Sequence, residues 1–117
     1  MNVKQELIDA LERFRYPVIL QGSLAGDEVY PDSFFTFWNN ESSGSAFFDN
    51  KENKTLWDFD LNFYSSDVTR VNDILLKAKK VLKKKGFIVN GKGHDIFSDE
   101  PSHTGRGMNL IYIERGV

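Results

Sequence analysis

The stretch that decides the fold runs from Leu56 to Gly86 and opens with Trp57-Asp58-Phe59-Asp60-Leu61-Asn62-Phe63-Tyr64. In this opening segment apolar residues alternate with Asp and Asn, which is the period of a strand with one buried face. Ser65-Ser66-Asp67 is a helix-start signal, and Val68–Lys85 then has apolar residues at helical spacing. Because the strand and the helix each have one apolar face, both must bury that face against the rest of the chain.

The composition is that of one folded domain. The 117 residues are 40% hydrophobic and include ten phenylalanines, which is enough for a packed core. With 27% charged residues and a net charge of −2, the chain resembles neither a disordered protein nor a general nucleic-acid binder. It has no cysteine, which excludes disulfide bonds and thiolate chemistry and fits a reducing compartment. We expect a single domain over residues 1–117.

The sequence also bears on where the chain works. The N-terminal segment Met1–Glu6 lacks the long apolar core of a signal peptide. No apolar run approaches the roughly 20 residues that span a bilayer. We therefore expect the chain to be made and used in a cytoplasm, or assembled there into something larger.

The N-terminal half predicts a helix followed by strands. Residues 2–14 predict a short helix with Asn2 as its cap, which ends before Pro17 because proline has no N–H to donate. Val18–Leu20 predicts a brief strand, and residues 34–64 predict an antiparallel meander. The meander has three predicted strands, at 34–38, 45–49 and 56–64, with polar turns at 39–44 and 50–54.

The C-terminal third predicts further strands. Phe87–Val89 predicts a short strand, and Asn90-Gly91-Lys92-Gly93 predicts a tight turn because Asn-Gly favours the positive φ angles of a hairpin. His94–Phe97 is the predicted return strand, Ser98–Gly107 a polar loop and Met108–Ile113 a terminal strand. The order of elements predicts an α+β fold, a mostly antiparallel β-sheet with two α-helices packed on one face.

Two histidines and two aspartates invite a chemical interpretation. His94 and His103 lie near acidic residues, but their spacing fits no His/Cys metal pattern, so hydrogen-bonded histidines are favoured over a metal site. Asp58 and Asp60 share one strand face and could form the acid–base pair of a hydrolase with one of these histidines. Alternating acids are more often the solvated face of a strand, so the hydrolase is the weakest of the functional hypotheses.

Glycine and lysine clusters allow two more interpretations. Gly91-Lys92-Gly93 and Gly105-Arg106-Gly107 are similar to phosphate-binding loops, but neither has the Walker spacing or leads into a predicted helix, so turn glycines are favoured. Lysines crowd the end of the predicted helix, where they complement the helix dipole and solvate its outer face. They leave open an alternative function: a small regulatory or binding domain that contacts nucleic acid or an acidic partner through the Lys77–Lys85 helix face.

Two segments suggest contact with a partner. The loop Ser98–Gly107 combines opposite charges, a proline and two glycines between strands, and for it the functional and structural interpretations are about equally favoured. The segment Phe34–Phe48 has more large apolar side chains than one side of a small core needs. Some of them are therefore expected to be exposed for a partner.

Taken together, four segments resemble a known family. They are Tyr30-Pro31-Asp32-Ser33-Phe34-Phe35-Thr36-Phe37-Trp38, the strand Trp57–Tyr64, Lys79-Lys80-Val81-Leu82 before Gly86-Phe87, and Asp99-Glu100-Pro101-Ser102-His103-Thr104-Gly105-Arg106-Gly107. The similarity covers roughly residues 5–114. The chain resembles the tail-completion proteins (tail terminators, head–tail joining proteins) of long-tailed bacteriophages and of prophages in Gram-positive bacteria.

The resemblance implies a structural protein that is not an enzyme and holds no cofactor or metal. Such proteins are monomers or weakly associated when free, and they form a hexameric ring on the end of the tail tube. The implied partners are the tail-tube protein, the head connector and further copies of the chain, with no membrane and with DNA only as passing cargo. The implied location is the virion tail, with the host cytoplasm during assembly.

Mapped onto this chain, the resemblance implies an interface in three regions: Gly22–Ser33, Phe34–Phe48 and Ser98–Gly107. A closed ring needs heterologous contacts, in which one patch meets a different patch on the neighbour. Arg106 of one subunit is expected to pair with Asp99 or Glu100 of the next. The interface residues expected are Asp32, Phe34, Trp38, Asn39, Asp58, Asp60, Asp99, Glu100, His103 and Arg106.

Overall fold

A computed structural model gives the fold and describes residues 2–20, 31–44, 54–98 and 102–115. In these residues five strands form one mixed sheet in the order β1-β2-β3-β5-β4; β1 is parallel to β2, and every other pair is antiparallel. The predicted α+β fold, with a mostly antiparallel sheet and two α-helices, is confirmed. The elements are α1 (Val3–Leu11), a 3-10 helix (Glu12–Phe14), β1 (Val18–Leu20), β2 (Ser33–Gly44), β3 (Lys54–Ser65), α2 (Val68–Lys84), β4 (Ile88–Ile96) and β5 (Thr104–Arg115).

Both helices begin where the sequence predicts; α1 ends at Leu11, three residues before the predicted end, where the 3-10 helix continues to Phe14, and α2 ends at Lys84, one residue early. The Asn2 side chain accepts a hydrogen bond from the N–H of Gln5 at 3.1 Å, and the Asp67 carboxylate accepts from the N–H of Arg70 at 3.3 Å. These caps satisfy N–H groups that the first helical turn leaves without a carbonyl partner. Gly86 follows α2 with φ +97°, a left-handed conformation that glycine adopts without a Cβ clash.

The hydrophobic core lies between the two helices and one face of the sheet. The helices contribute one stripe each, and the strands contribute alternate residues, as the periods of 3.6 and 2 require. The buried face of α2 begins at Val71, whereas Val68, predicted to share it, is 61% exposed as the first helical residue. The core consists of Val3, Leu7, Ala10, Leu11, Phe35, Phe37, Phe59, Leu61, Phe63, Val71, Leu75, Ala78, Leu82, Phe87, Met108 and Leu110.

The β2–β3 pair corrects the predicted meander. Residues 39–44, predicted to be a turn, continue strand β2, which pairs with β3 from Ser33 opposite Ser65 to Gly44 opposite Thr55. A bulge between Asn39 and Glu41 absorbs the irregularity. The pairing of two strands uses backbone hydrogen bonds, which polar residues also make, so a polar segment can continue a strand. The strand predicted at 45–49 lies outside the described residues.

Strand β4 corrects the predicted hairpin at Asn90–Gly93. The segment stays within one strand and pairs with β5, with a register shift between Asn90 and His94. Gly91 and Gly93 take φ values of +71° and +90°. The predicted positive φ angles are therefore present, but in a bulge of an edge strand, where they accommodate extra residues and do not reverse the chain.

Strand β5 begins at Thr104, so much of the predicted loop 98–107 is strand. It pairs with β3 over its whole length, from Thr104 opposite Ser65 to Arg115 opposite Lys54. A Cβ at Gly105 would lie 2.7 Å from the Tyr64 ring, and one at Gly107 would overlap the Asn62 side chain. These glycines therefore make room for side chains of the neighbouring strand and form neither a turn nor a phosphate loop.

Candidate assembly surface

Within the described residues, no helix covers the face of the sheet opposite α1 and α2, which we call the open face. Trp38, Asp60, Asn109 and Asn90 are successive cross-strand partners on β2, β3, β5 and β4. Their side chains therefore form a row across four strands, because directly paired residues point to the same side of a sheet. The row presents one aromatic ring followed by planar polar groups.

Hydrogen bonds join the polar members of this row into an amide–carboxylate network, made of Asn40, Asp58, Asp60, Asn90 and Asn109. The Asn109 amide donates to Asp58 Oδ1 at 2.6 Å and lies 3.3 Å from Asp60 Oδ1. Asn90 donates to Asn109 Oδ1 at 2.7 Å, and Asn40 donates to Asp58 Oδ1 at 3.1 Å. Amides are neutral, so the network orients the two carboxylates without cancelling their charge.

Exposed apolar side chains flank this network. Trp38 is 48% exposed, Ile88 is 48% exposed and Ile113 is 43% exposed. All three lie on the open face by their strand register. An exposed aromatic beside ordered polar groups is the composition of protein contact surfaces, which are enriched in tryptophan.

Two predicted contact residues near Trp38 are less accessible. Phe34 is 2% exposed, and its ring centroid lies 5.2 Å from that of Tyr64 in a stacked arrangement. Asn39 is half-buried and pairs with Phe59, so it lies toward the helix side of the sheet. In the single chain, Phe34 offers almost no surface to a partner. Alternation alone could not separate it from Trp38, since both residues point to the same face.

Asp32 belongs to a polar cluster at the end of the sheet. The Ser66 hydroxyl donates to its carboxylate, and Arg70 Nη1 lies 3.0 Å from Asp32 Oδ2. The Ser66 hydrogen bond is the main cause that lowers the pKa of Asp32 below 3.8; Ser33 and Arg70 add to this, and desolvation opposes it. Ser33 and the fully buried Ser65 share a hydrogen bond of 2.9 Å between their hydroxyls. The cluster ties the start of β2 to the end of β3 and to α2.

His103 joins the start of β5 to the start of β2. Its Nε2 donates to the Pro31 carbonyl at 2.8 Å, because a carbonyl oxygen can only accept. Its Nδ1 lies 2.9 Å from the Ser102 hydroxyl. Both ring nitrogens therefore have partners within the chain, and the predicted contact residue also orders the end of the sheet.

Arg106 lies on the helix side of the sheet. Its Nη1 forms an ion pair of 2.8 Å with Asp95, and its Nη2 donates to the Gly93 carbonyl at 3.2 Å. The residues predicted as its partners on a neighbouring subunit, Asp99 and Glu100, lie outside the described residues. Any contact with a neighbour would have to compete with the pair to Asp95.

The residues of the hydrolase hypothesis are not brought together. His103 lies immediately before β5 and six residues before Asn109, about 20 Å along an extended chain, whereas Asp60 pairs directly with Asn109. His94 pairs with Gly107, so one whole strand separates it from β3. Among the described residues, no three His, Cys, Asp or Glu side chains are grouped to hold a metal ion.

Some lysines on the lysine-rich face of α2 have partners within the chain, and others are exposed. Lys79 donates to the Gly91 carbonyl at 2.8 Å, and Lys77 forms an ion pair of 3.1 Å with Asp73. Lys80, Lys83 and Lys84 are exposed. The adjacent Leu76 is 52% exposed.

Sequence reasoning missed the amide half of the open-face network. Asn109 interrupts the apolar strand Met108–Ile113, and Asn90 was assigned to a turn. The available signal was the polar residue inside an apolar strand, which predicts an outward or hydrogen-bonded position. The pairing that brings Asn109 beside Asp58 and Asp60 depends on the register of β3 with β5, which the sequence did not give.

Over the part of the chain that the structure describes, no helix is long and apolar enough to span a membrane. Comparison with known proteins found no protein family whose model matches this chain and no similar curated protein.

Proposed function

We propose that this chain is a structural, non-enzymatic component of a phage or prophage tail, which forms a hexameric ring on the end of the tail tube and joins it to the head connector. The proposed family is the one that four segments of the sequence resemble. The observation that supports an assembly role is the open face, which carries an exposed tryptophan beside two oriented carboxylates.

The edges of the sheet also suit a ring subunit. In the described residues, β2 from Trp38 to Gly44 pairs with β3 alone, and β4 is the strand at the opposite edge. The two edges differ in sequence and length, and each has its register shift at a different place. Dissimilar surfaces on one subunit favour heterologous contacts, which close into a ring when the rotation between neighbours allows it.

In this proposal DNA passes through the ring as cargo and is not bound by it. Asp58 and Asp60 give the open face negative charge, which does not favour binding of phosphates. The subunit would be made in the host cytoplasm and end in the virion tail.

The test uses the tail-tube protein that this proposal predicts in the same genome. Purified tube protein is polymerised with and without the chain, and the tubes are imaged by negative-stain electron microscopy. The proposal predicts a ring at one end of most tubes and a shorter length distribution. Unchanged tube ends and lengths would contradict it.

The exposed Lys80, Lys83 and Lys84 favour a second candidate function, the binding of nucleic acid. The measurement is the affinity for duplex DNA at two salt concentrations, compared with the triple lysine-to-alanine variant. Salt-sensitive binding that is lost in this variant would support the second function. Equal weak binding by both proteins would argue against it.

A further inference from the structure

We infer that neighbouring copies in the ring join by placing an acidic patch of one copy against a lysine patch of the next. The acidic patch is Trp38, Asp58 and Asp60 on the open face; the lysine patch is Leu76, Lys80, Lys83 and Lys84 on the outer face of α2. The inference rests on the proposed function and names the surfaces that make its ring.

Charge is the first argument for this pairing. The net charge is only −2, yet acidic groups are oriented on the open face while exposed lysines crowd one end of α2. Among the described residues, Asp58 and Asp60 have hydrogen bonds to amides but no ion pair, and Lys80, Lys83 and Lys84 have none either. The two patches therefore have opposite charges that can attract each other between neighbouring copies.

Both patches also contain exposed apolar surface. Trp38 is 48% exposed on one, and Leu76 is 52% exposed on the other. A contact that buries these two side chains removes apolar surface from water and places lysine ammonium groups near an indole ring. Apolar burial and cation–π attraction then act together with the ion pairs.

The position of the patches favours a heterologous contact. The sheet separates them, since α2 packs on one face and the acidic patch lies on the other. Two acidic patches repel each other, as do two lysine patches, so a twofold contact between identical patches is disfavoured. Each copy can therefore offer one patch to each of two neighbours.

A second copy fits the acidic patch better than nucleic acid does, because phosphates would meet carboxylates there. The lysine patch alone would accept phosphates. DNA binding through this patch without cross-links between copies would identify that case.

The test is a reciprocal charge swap. One variant carries Asp58→Lys and Asp60→Lys; the other carries Lys80→Glu, Lys83→Glu and Lys84→Glu. Assembly is measured by sedimentation at high concentration and by zero-length carbodiimide cross-linking of lysines to carboxylates, with mass spectrometry of the joined peptides. Wild-type chains are expected to give cross-links between the two patches.

Each variant alone is expected to associate more than about tenfold more weakly, because every contact then places like charges together. An equimolar mixture should recover association, since the two variants alternate with complementary faces in an even-membered ring. Such recovery is not expected from misfolded chains. The matched control, Glu6→Lys with Asp9→Lys on exposed positions of α1, should associate like the wild type.

A neutral double variant, Asp58→Asn with Asp60→Asn, controls for a folding defect caused by the two lysines. It should weaken association less than Asp58→Lys with Asp60→Lys does. Wild-type association that survives in both swapped variants, or a mixture that fails to recover, would overturn the inference. Absence of any associated species of the wild type, both alone and on polymerised tail tubes, would overturn it too, as would DNA binding through the lysine patch with no cross-links between copies.

The inference and the proposed function fail in different ways. Rings that recover in the mixture but never cap tail tubes would contradict the tail function and leave the contact intact. Tubes capped equally by the wild type and by both swapped variants would support the tail function and overturn this contact.

Discussion

The two faces of the sheet are built from the same strands but obey different constraints. On the helix side, Phe35, Phe59 and Phe63 are fully buried against both helices. On the open face, Trp38 is half-exposed and Asp60 belongs to a hydrogen-bonded polar network. The alternation of side chains along each strand thus separates residues that stabilise the fold from residues free to contact a partner.

This difference predicts how substitutions will act. A change on the helix side alters packing, so it should lower the free energy of unfolding. A change on the open face alters charge and exposed surface, so it should leave the fold intact and change association. The predictions below test this separation.

The largest expected loss of stability comes from Phe59→Ala. Phe59 is fully buried at the centre of β3, and removal of its ring leaves a cavity between the sheet and the helices. We expect the free energy of unfolding to fall by about 3–5 kcal/mol. Urea denaturation followed by circular dichroism measures this loss, and a loss as small as that of Trp38→Ala would contradict the difference between the two faces.

Gly107→Ala should be the next most costly change, because Gly107 is buried between paired strands and contributes no exposed surface to the open face. A Cβ there would overlap the Asn62 side chain. We expect a loss of about 2–3 kcal/mol, the cost of overpacking between paired strands. Gly91→Ala is the control, since nothing lies within 4 Å of its added Cβ and only its φ of +71° is unfavourable. Equal losses would show that strand packing is not the cause.

Ser65→Ala tests the polar cluster at the end of the sheet. The buried hydroxyl bonds with Ser33 at 2.9 Å and accepts from the Asp67 N–H at 3.0 Å. Its removal should cost about 1–2 kcal/mol in thermal or chemical unfolding. An unchanged melting temperature would mean that water replaces both bonds.

The pH dependence of stability should carry a contribution from Asp32. Because its folded pKa is lowered, the carboxylate stabilises the fold above its ordinary pKa of 3.8, and this contribution is lost as the pH falls through the folded value. The effect should be small, since the Asp32 side chain is 65% exposed and its ion pair is screened by solvent.

Unfolding of the wild type and of Asp32→Asn, measured from neutral to acidic pH, checks this assignment. The stability gap between them should narrow below pH 3.8. Ser66→Ala should raise the pKa of Asp32 toward its ordinary value, because it removes the largest cause of the shift. A stability difference between the wild type and Asp32→Asn that does not change with pH would contradict a contribution from the Asp32 carboxylate.

The smallest expected effect on stability is that of Trp38→Ala. Trp38 is 48% exposed on the open face, so its removal should cost no more than about 1 kcal/mol. The measurement is the denaturation midpoint of Trp38→Ala, which should lie closer to that of the wild type than the midpoint of Phe59→Ala does. A loss comparable to that of Phe59→Ala would place Trp38 in the core.

Much of the fold followed from the period of the apolar residues. The alternation in β3 and the helical spacing in α2 predicted the strand, the helix and their buried faces. Three predicted turns or loops are wrong, because polar residues and glycines also occur inside strands: residues 39–44 continue β2. Asn90–Gly93 is a bulge, and Gly105 and Gly107 are strand positions where larger residues do not fit.

The candidate surface was less predictable than the fold. Asp58, Asp60 and Trp38 could be assigned to an outward face, since strand period alone decides which way they point. Asn109 and Asn90 could not be joined to them, because their proximity depends on strand order and register across β3, β5 and β4. Whether an outward residue is exposed also depends on neighbours, as Phe34 and Trp38 demonstrate.

The most direct measurement of the central claim is tail-tube capping by Trp38→Ala. Electron microscopy would count capped tube ends for the wild type and for this variant at equal concentration, after unfolding has shown that both are folded. We expect the wild type to cap most tubes and Trp38→Ala to cap few. Equal capping by the two proteins would contradict the assignment of the open face to assembly.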